Sequence, residues 1–274
     1  MGRSSGTAST PTCERPRASA EPSVGGWHTE LMCGRFTVTT KDTKKVADRF
    51  EVELEKALGS KAMESAGGRY NVAPTQEVLT VRSSPEEEEA DKGEREALMM
   101  RWGLVPRWAK DLKVGYKMIN AKTERLTESR AYAPLIGKFR HRCLIVADGF
   151  YEWLKSEDPK QPRLPFRFTV DGGEPFAFAG ICTRKEWEDD WLYSCTIITT
   201  TPNEVVKPVH DRMPVILPGA EAEQAWLRTD LSAEDAVSMC VPLDPGRMQS
   251  APANPKLNKV GKGIEGPELL VVPA

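Results

Sequence analysis

Cys143-Leu144-Ile145-Val146-Ala147 is the first of several short apolar runs in the second half of the chain. The runs that follow are also rich in β-branched or aromatic residues, they are separated by Gly, Pro or Asp, and they lie at 166–170, 176–181, 192–199 and 215–217. Runs of this composition and length predict β-strands. Their succession, with turn residues between them, is typical of an antiparallel sheet system with connecting helices.

Further elements are predicted around these runs. Strands at 78–82 and 97–102 flank a strongly acidic segment. Apolar residues recur at helical spacing between 40 and 58, with Gly59 as a stop signal, and shorter helices are predicted at 122–130, 221–227 and 233–240. From 242 onward the chain is rich in Pro, Asn and Gly, which predicts an extended path over the surface.

The composition excludes several classes of protein. Of the 274 residues, 39% are hydrophobic and 28% are charged, which is ordinary for a soluble globular protein. No apolar run approaches the ~18 residues that a membrane-spanning helix needs, so we expect no membrane partner. The six cysteines are widely spaced and form no CxxC pair, which indicates neither a disulfide framework nor a zinc site. A reducing, intracellular compartment fits best.

Two segments stand apart from this folded pattern. Residues 1–31 are rich in Ser, Thr, Ala, Pro and Gly and lack periodicity, so we expect a disordered leader or a misassigned start, followed by a single domain at 32–274. Between Glu86 and Glu96 there are seven acidic and two basic residues, a balance of −5, which predicts a solvated acidic loop near 84–96. Because the whole chain has a formal charge of −2, the remainder carries about +3, and the overall charge does not exclude a nucleic-acid partner.

Met32-Cys33-Gly34-Arg35-Phe36 reads like a protein start that lies inside the sequence. If the residues before it are removed, Cys33 carries an α-amine and a thiol on adjacent carbons. Such a 1,2-aminothiol traps an aldehyde, because the amine forms an imine and the thiol then closes a five-membered thiazolidine ring. The amine titrates near about 8 and a free thiol near about 8.5, so reactive forms of both exist near neutral pH. The alternative interpretation is a small buried cysteine that opens a strand.

Two polar clusters suggest a binding surface. Asn71 follows Arg69 and Tyr70, and it either holds a turn or contacts a ligand. Residues 101–108 interleave two tryptophans with two arginines around a Gly/Pro bend. Aromatic faces stack on unpaired bases and arginines neutralise phosphates, so this cluster suits a groove for single-stranded nucleic acid, although tryptophans are also common in cores.

Two further positions are candidates for proton transfer. Glu152 lies between two aromatic residues, an environment that raises a carboxyl pKa; the alternative is a pairing with a neighbouring arginine. His210 lies beside Asp211 in a Pro-bounded loop, and it is the best acid/base candidate among the three histidines, with a structural role as the alternative.

In order along the chain, the motifs are Met-Cys-Gly-Arg-Phe, Tyr-Asn-Val-Ala-Pro, Arg-Trp-Gly-Leu-Val-Pro-x-Trp, Ile-Asn-Ala-Lys-x-Glu, Asp-Gly-Phe-Tyr-Glu-Trp and His-Asp-Arg-Met-Pro-Val. Together they resemble the SOS-response-associated peptidase (SRAP) family over about residues 32–270. The resemblance implies an α+β fold with a mainly antiparallel, barrel-like β-sheet core flanked by helices. It also implies a protein of the DNA damage (SOS) response that crosslinks to abasic sites in single-stranded DNA through its N-terminal cysteine, with lyase-type processing through the imine. The open-chain sugar of an abasic site is the required aldehyde.

The resemblance further implies a role for each matching residue. Cys33 would be the nucleophile, and Asn120 would position the ring or the opened sugar. Glu152 would transfer protons at the amine and sugar, and His210 would be the acid/base of imine formation and of crosslink reversal. The DNA-binding residues would be Arg35, Asn71, Arg101, Trp102, Trp108, Lys122 and Arg212. No metal or organic cofactor is required, since ring closure needs only proton transfer.

We expect a monomer in the cytoplasm, associated with the nucleoid, or in the nucleus if the host is eukaryotic. Two features depart from the family pattern. Lys122 stands where the family often has Arg, which keeps the charge but loses the bidentate fork. The residues before Cys33 would block the amine, so they must be removed, either by initiator-methionine excision from a start at Met32 or by self-cleavage through the family's proposed peptidase activity.

Two other functions stay open at this point. The first is an autoprocessing cysteine peptidase or N-terminal-nucleophile hydrolase that uses Cys33 with His210 or Glu152. The second is a non-catalytic module that binds single-stranded DNA through its Trp/Arg surface alone, which predicts equal affinity for intact and abasic strands and a steep salt dependence.

Overall fold

The structure, a computed structural model, describes residues 33–54, 58, 66–84, 94–154, 161–259 and 264–273. The leader at 1–31 and the middle of the acidic loop, 85–93, lie outside these residues, so the division into a leader and a single domain stays a prediction. The described strands are β1 (Arg35–Val38), β2 (Arg69–Val72), β3 (Glu77–Ser83), β4 (Arg95–Trp102), β5 (Asn120–Lys122), β6 (Arg142–Ala147), β7 (Gly149–Leu154), β8 (Leu164–Val170), β9 (Phe176–Trp187), β10 (Asp190–Thr200), β11 (Met213–Pro214), β12 (Ile216–Leu217) and β13 (Met248–Pro252). The described α-helices are α1 (Thr43–Phe50), α2 (Ala133–Ile136), α3 (Ala220–Leu227) and α4 (Ala233–Ser238). Within the described ranges, every helix is too short or too polar to cross a membrane.

Five strands close into a barrel in the order β10-β4-β3-β6-β9, with β9 pairing back to β10. The pairings are antiparallel except that β4 and β10 run parallel, with Trp102 opposite Cys195. The antiparallel neighbours β3 and β4 flank the acidic loop, as predicted. The predicted α+β fold with a mainly antiparallel, barrel-like core is therefore confirmed.

A second sheet has the order β13-β8-β7-β1-β2. Its strand β1 lies between β7 and β2 and is antiparallel to both, with Arg35 opposite Tyr151. Phe36 on β1 contacts the barrel residues Trp102 and Phe178, with ring centroids 5.0 Å and 5.7 Å apart. Because such aromatic pairs bury large apolar areas, they anchor β1, and the cysteine just before it, against the barrel.

Three predicted elements differ in the structure. The helix predicted at 40–58 forms as the shorter α1, which begins after the N-cap Asp42 and ends at Phe50, because the next residue, Glu51, has a left-handed φ of 56°. The helix predicted at 122–130 is wrong at its start, because Asn120–Lys122 pair with β10 as β5 and only a 3-10 turn follows, at Thr123–Arg125. Tertiary pairing overrides the local helical preference there.

The strand predicted at 215–217 is shorter, at Ile216–Leu217, and a second short strand precedes it at Met213–Pro214, because Val215 between them hydrogen-bonds to two different strands. The N–H of Val215 donates to Ile198 of β10, and its carbonyl accepts from Ala179 of β9. β11 therefore pairs with β10, and β12 pairs with β9. The tail predicted to be extended also adds β13 to the edge of β8.

Candidate active site

Cys33 lies two residues before the start of β1 at Arg35 and is 3% exposed. Its φ of 43° is in the left-handed region, which is unusual for a residue with a Cβ. Its main-chain N–H donates to Oε1 of Glu152 on β7 at 2.6 Å. That nitrogen is here part of the peptide bond to Met32, and it holds the position that an α-amine would occupy if Cys33 began the chain.

Glu152 is 1% exposed, and its environment changes its acidity. Burial raises its pKa from 4.5 to about 8, hydrogen bonds from Cys33 oppose this rise, and the charge of Asp211 adds to it. A carboxyl group with this pKa is present in both protonation states near neutral pH, so it can act as an acid or a base. The prediction that the neighbours of Glu152 raise its pKa therefore agrees with the structure.

The thiol of Cys33 is held in its protonated form. Burial and the neighbouring Glu152 raise its pKa well above the ordinary range, while the charge of Arg212 has the opposite effect. The thiolate is the nucleophilic form, so this thiol needs a base at the moment of reaction. Glu152 is the group in position to serve.

His210 lies in a loop whose shape is set by hydrogen bonds. The side-chain oxygen of Asn203 accepts from the N–H groups of Val205 and Val206, and the N–H of His210 donates to the carbonyl of Val206. The N–H of Arg212 donates to Nδ1 of the buried imidazole at 3.1 Å, and the carbonyl of Arg212 lies 3.3 Å from the same nitrogen. The carboxylate of Asp211 lies 3.2 Å from the same nitrogen.

Arg212 connects this loop to the Asn120 segment. Its two terminal nitrogens donate to the two carboxylate oxygens of Glu124, and one of them also donates to the carbonyl of Thr199 at 2.7 Å. Thr123 donates to the same carbonyl, and Asn120 lies opposite Ile197 on β10. The Asn120 and His210 motifs therefore meet at the carboxyl end of β10. Arg212, predicted to contact DNA, uses its fork within the protein.

Arg35 and Asn71, both predicted to bind DNA, contact each other. Nη1 of Arg35 donates to Oδ1 of the buried Asn71 at 2.7 Å, and Nδ2 of Asn71 donates to the carbonyl of Ile264 at 2.7 Å. Burial lowers the pKa of the Arg35 guanidinium. Asn71 thus acts on Arg35 and on the backbone, and its amide does not hold a turn.

The predicted Trp/Arg surface divides into buried and exposed parts. Trp102 is 0% exposed, packs in the core and donates from Nε1 to the carbonyl of Ile119, so its predicted direct contact with DNA is wrong. Trp108 is 53% exposed with the guanidinium of Arg130 5.6 Å from its ring centre, and Lys122 is exposed. Arg101 is partly buried and donates to the carbonyl of Thr75 at 3.0 Å.

Asp148 is a site residue that the sequence analysis did not single out. It is buried at the start of the turn before β7, and it accepts hydrogen bonds from the side chains of Thr37 and Thr39 and from the N–H groups of Thr39 and Thr40. These bonds fix β1 alongside β7, which is the pairing that brings Cys33 to Glu152. The only sequence signal was an acidic residue inside an apolar run. Within the described residues, no cluster of three or more His, Cys, Asp or Glu side chains could hold a metal ion.

The structure thus combines a strand anchored on the barrel, a buried cysteine two residues before it whose main-chain nitrogen contacts a buried carboxyl, and a histidine loop, which are the groups that a cysteine-centred acid/base site needs. The family model described as SOS response associated peptidase (SRAP) matches residues 32–260, and the chain belongs to this family. The predicted family membership is confirmed.

The relatives with curated names span bacteria and vertebrates. The abasic site processing protein YoqW of Bacillus subtilis (strain 168) is 40% identical over 224 residues, which cover 80% of this chain and 91% of that protein. The abasic site processing protein HMCES of Xenopus tropicalis is 32% identical over 178 residues, which cover 58% of this chain and 53% of that protein. A solved structure from Bacteroides thetaiotaomicron has a TM-score of 0.75 at 22% identity and covers 88% of this chain and all of its own, a likeness of fold.

Proposed function

We propose that the protein processes abasic sites in DNA by forming a thiazolidine between Cys33 and the opened sugar, after the residues before Cys33 have been removed. The observation that carries the proposal is the 2.6 Å hydrogen bond between the main-chain nitrogen of Cys33 and Oε1 of Glu152. The names of the relatives, abasic site processing proteins, support the substrate. The resulting bond shields the lesion as part of the DNA damage response.

The chemistry begins at the nitrogen. The free amine of Cys33 attacks the sugar aldehyde, and Glu152 passes one proton from the nitrogen to the former aldehyde oxygen, which gives a carbinolamine. Glu152 then passes the second nitrogen proton to the carbinolamine hydroxyl, which leaves as water, and an imine remains. The thiol then adds to the imine carbon as its proton passes to the nitrogen, and the ring closes. The balance is one aldehyde and one aminothiol giving one thiazolidine and one water, so this sequence needs only a group that alternates between acid and base.

The raised pKa of Glu152 supports this alternation. Burial raises the pKa of this carboxyl to about 8 while Met32 is attached, and it still raises the pKa in the chain that begins at Cys33, where the α-ammonium group opposes the rise, so the carboxyl can give up and take back a proton near neutral pH. His210 acts as a second acid/base on the sugar side, and Asn120 orients the opened sugar by hydrogen bonds. Its position at the end of β10, beside the His210 loop, supports that role.

The DNA is bound as a single strand by a monomer. Exposed Trp108 offers a face on which an unpaired base can stack, and Lys122 offers a positive charge to a phosphate. Single-stranded substrate also leaves the opened sugar accessible without the cost of unpairing a duplex. Lyase-type cleavage of the strand would proceed from the imine before the ring closes.

Self-cleavage of the Met32–Cys33 bond is a second candidate activity, and the same hydrogen bond favours it. Glu152 contacts the nitrogen that would become the leaving amine, so in its protonated form it can supply the proton that this nitrogen needs. The Cys33 thiol would attack the Met32 carbonyl to give a thioester, which water then hydrolyses. This reaction produces the free amine that the thiazolidine requires.

Intact-mass spectrometry with an abasic single-stranded oligonucleotide tests the proposal. We expect a protein mass that begins at Cys33, and after incubation an adduct that forms without borohydride. Cys33→Ala and a chain with an uncleavable N-terminal extension should both give no adduct, and Glu152→Gln should slow its formation. Adduct formation by Cys33→Ala would refute the thiazolidine. Persistence of the leader only in Cys33→Ala, in a host whose aminopeptidases cannot remove it, would demonstrate self-cleavage.

A further inference from the structure

A segment beyond the family match contacts the strands next to the candidate site. The family model ends at residue 260, whereas residues 264–270 pack against β2 and β7. The carbonyl of Ile264 accepts from Asn71, and the carboxylate of Glu265 accepts from the N–H of Tyr70. We call residues 264–270 the C-terminal segment.

The C-terminal segment is held in place by apolar packing as well. It ends in a 3-10 turn at Pro267–Leu270, and the buried Leu269 of this turn packs with Tyr151, the residue before Glu152. The hydroxyl of Tyr151 donates to the carbonyl of Tyr70 at 3.0 Å, which ties β7 to β2 behind the same cluster. The segment therefore has a defined position.

Asn71 transmits this position to Arg35. Both ends of its buried amide are used, since Nδ2 donates to the segment and Oδ1 accepts from the Arg35 guanidinium. The carbonyl of Ile264 can accept a hydrogen bond but cannot donate one. It therefore selects the orientation of the Asn71 amide in which Nδ2 faces the carbonyl and Oδ1 faces Arg35. A flipped amide would present two N–H donors to a guanidinium, which has no acceptor.

Because its hydrogen-bond partner Asn71 is neutral, Arg35 keeps a positive charge that can bind a phosphate. Among the described residues no carboxylate forms an ion pair with Arg35, and the neutral Asn71 orients its guanidinium without neutralising it. Arg35 lies two residues from the reactive cysteine. We propose that the C-terminal segment is part of the DNA-binding site, because through Asn71 it orients the Arg35 guanidinium towards a phosphate next to the lesion. This inference rests on the proposed binding of single-stranded DNA.

The proposal and simple electrostatics predict opposite changes in DNA affinity when the C-terminal segment is removed. The segment carries Glu265 and Glu268 and no basic residue, so its removal makes the protein less negative by two charges. Long-range electrostatics alone therefore predicts tighter binding of DNA after truncation. A positioning role for Arg35 predicts weaker binding, because an arginine that is not held in place gains less from a phosphate.

The experiment measures the affinity for an intact, fluorescently labelled single strand over a series of NaCl concentrations. The variants are a chain that ends at residue 263 and Asn71→Ala in the full chain, and Glu268→Gln is the matched control that changes charge without touching Asn71. We expect both test variants to bind roughly 3- to 10-fold more weakly and to lose about 0.7 from the slope of log affinity against log salt, the value of one phosphate contact. The control should bind at least as tightly as wild type.

A double variant separates positioning from general stability. If Asn71 acts through Arg35, Asn71→Ala should have no further effect on affinity in an Arg35→Ala background. An unchanged affinity and salt slope in Asn71→Ala would overturn the proposal, and this variant decides the outcome if the truncated chain does not fold. Crosslinking of wild type to an abasic strand is measured in parallel. If wild type binds DNA without crosslinking to it, the proposed thiazolidine chemistry is refuted, but the test of the C-terminal segment by affinity stays valid.

Discussion

Replacement of Glu152 by Gln is expected to make the chain that retains Met32 more stable at pH 8, although it impairs crosslinking after maturation. Glu152 is almost fully buried, and burial is the main cause that raises its pKa from 4.5 to about 8. In the unfolded chain the carboxyl ionises near its ordinary pKa of about 4.3. The folded protein therefore keeps a proton that the unfolded chain releases. Stability is full below the lower pKa and falls as the pH rises through the folded pKa.

The size of the effect follows from the two pKa values. A rise from 4.5 to about 8 is about 3.5 units, and at about 1.4 kcal/mol per unit it corresponds to about 5 kcal/mol of folding free energy lost by pH 8. Gln is neutral and nearly isosteric, and its oxygen can still accept from the Cys33 N–H. The two proteins should differ little at pH 4, and the difference in free energy of unfolding should grow by about 1.4 kcal/mol per pH unit between about pH 5 and pH 8.

Urea unfolding of both proteins between about pH 4 and pH 9 measures this difference, in which the titration of all other groups cancels. A difference in free energy that does not change with pH would refute the reasoning. The chain that begins at Cys33 is the control, because its α-ammonium group stabilises the ionised carboxylate and should reduce the pH dependence. In that mature chain, loss of the acid/base group should slow crosslinking by about 10²- to 10⁴-fold.

Four further substitutions test other parts of the structure. Asp148→Asn should lower the free energy of unfolding by about 2–4 kcal/mol, because four donors from β1 and the residues after it lose a charged acceptor. An unchanged melting temperature in calorimetry would contradict this prediction. Trp108→Ala should weaken binding of intact single-stranded DNA by about 1–3 kcal/mol with little change in melting temperature. Trp102→Ala should instead lower the free energy of unfolding by about 3–5 kcal/mol. The reverse pattern would contradict the assignment of the Trp108 ring to the surface and of the Trp102 ring to the core. Arg142→Met should lower the free energy of unfolding by about 3 kcal/mol in denaturant titrations, because four main-chain carbonyls lose a buried donor. The guanidinium donates to the carbonyls of Trp226, Ile136, Leu231 and Arg228. An unchanged free energy of unfolding would show that these carbonyls find other donors.

Several strands could be predicted because their signal is local. The apolar runs at 143–147, 176–181 and 192–199 became β6, β9 and β10, with bounds that differ mainly by extension. Such residues favour strands wherever they are buried, so their type follows from composition and length. The candidate residues Cys33, Glu152 and His210 were also recognisable, because a short motif surrounds each of them.

The segment at 122–130 illustrates where local reasoning fails. Its start pairs with β10, so Asn120–Lys122 form a strand that brings Asn120 to the end of the barrel next to the His210 loop. The helical spacing of its residues carried no information about the free edge of β10. The prediction that Trp102 binds DNA was wrong for a similar reason. A tryptophan beside arginines gives the same sequence pattern whether its side chain faces solvent or the core.

The sequence by itself determined the strand-rich class of the fold, the family and the residue types of the site. The tertiary structure alone decided which of these residues meet. The Cys33–Glu152 hydrogen bond joins residues 119 apart in the chain, and it depends on the β1–β7 register that Asp148 secures. The contact from Ile264 through Asn71 to Arg35 spans an even longer separation, of 193 residues in its first step. Register and long-range pairing arise from the packing of the whole core, whereas periodicity reports only the neighbours along the chain.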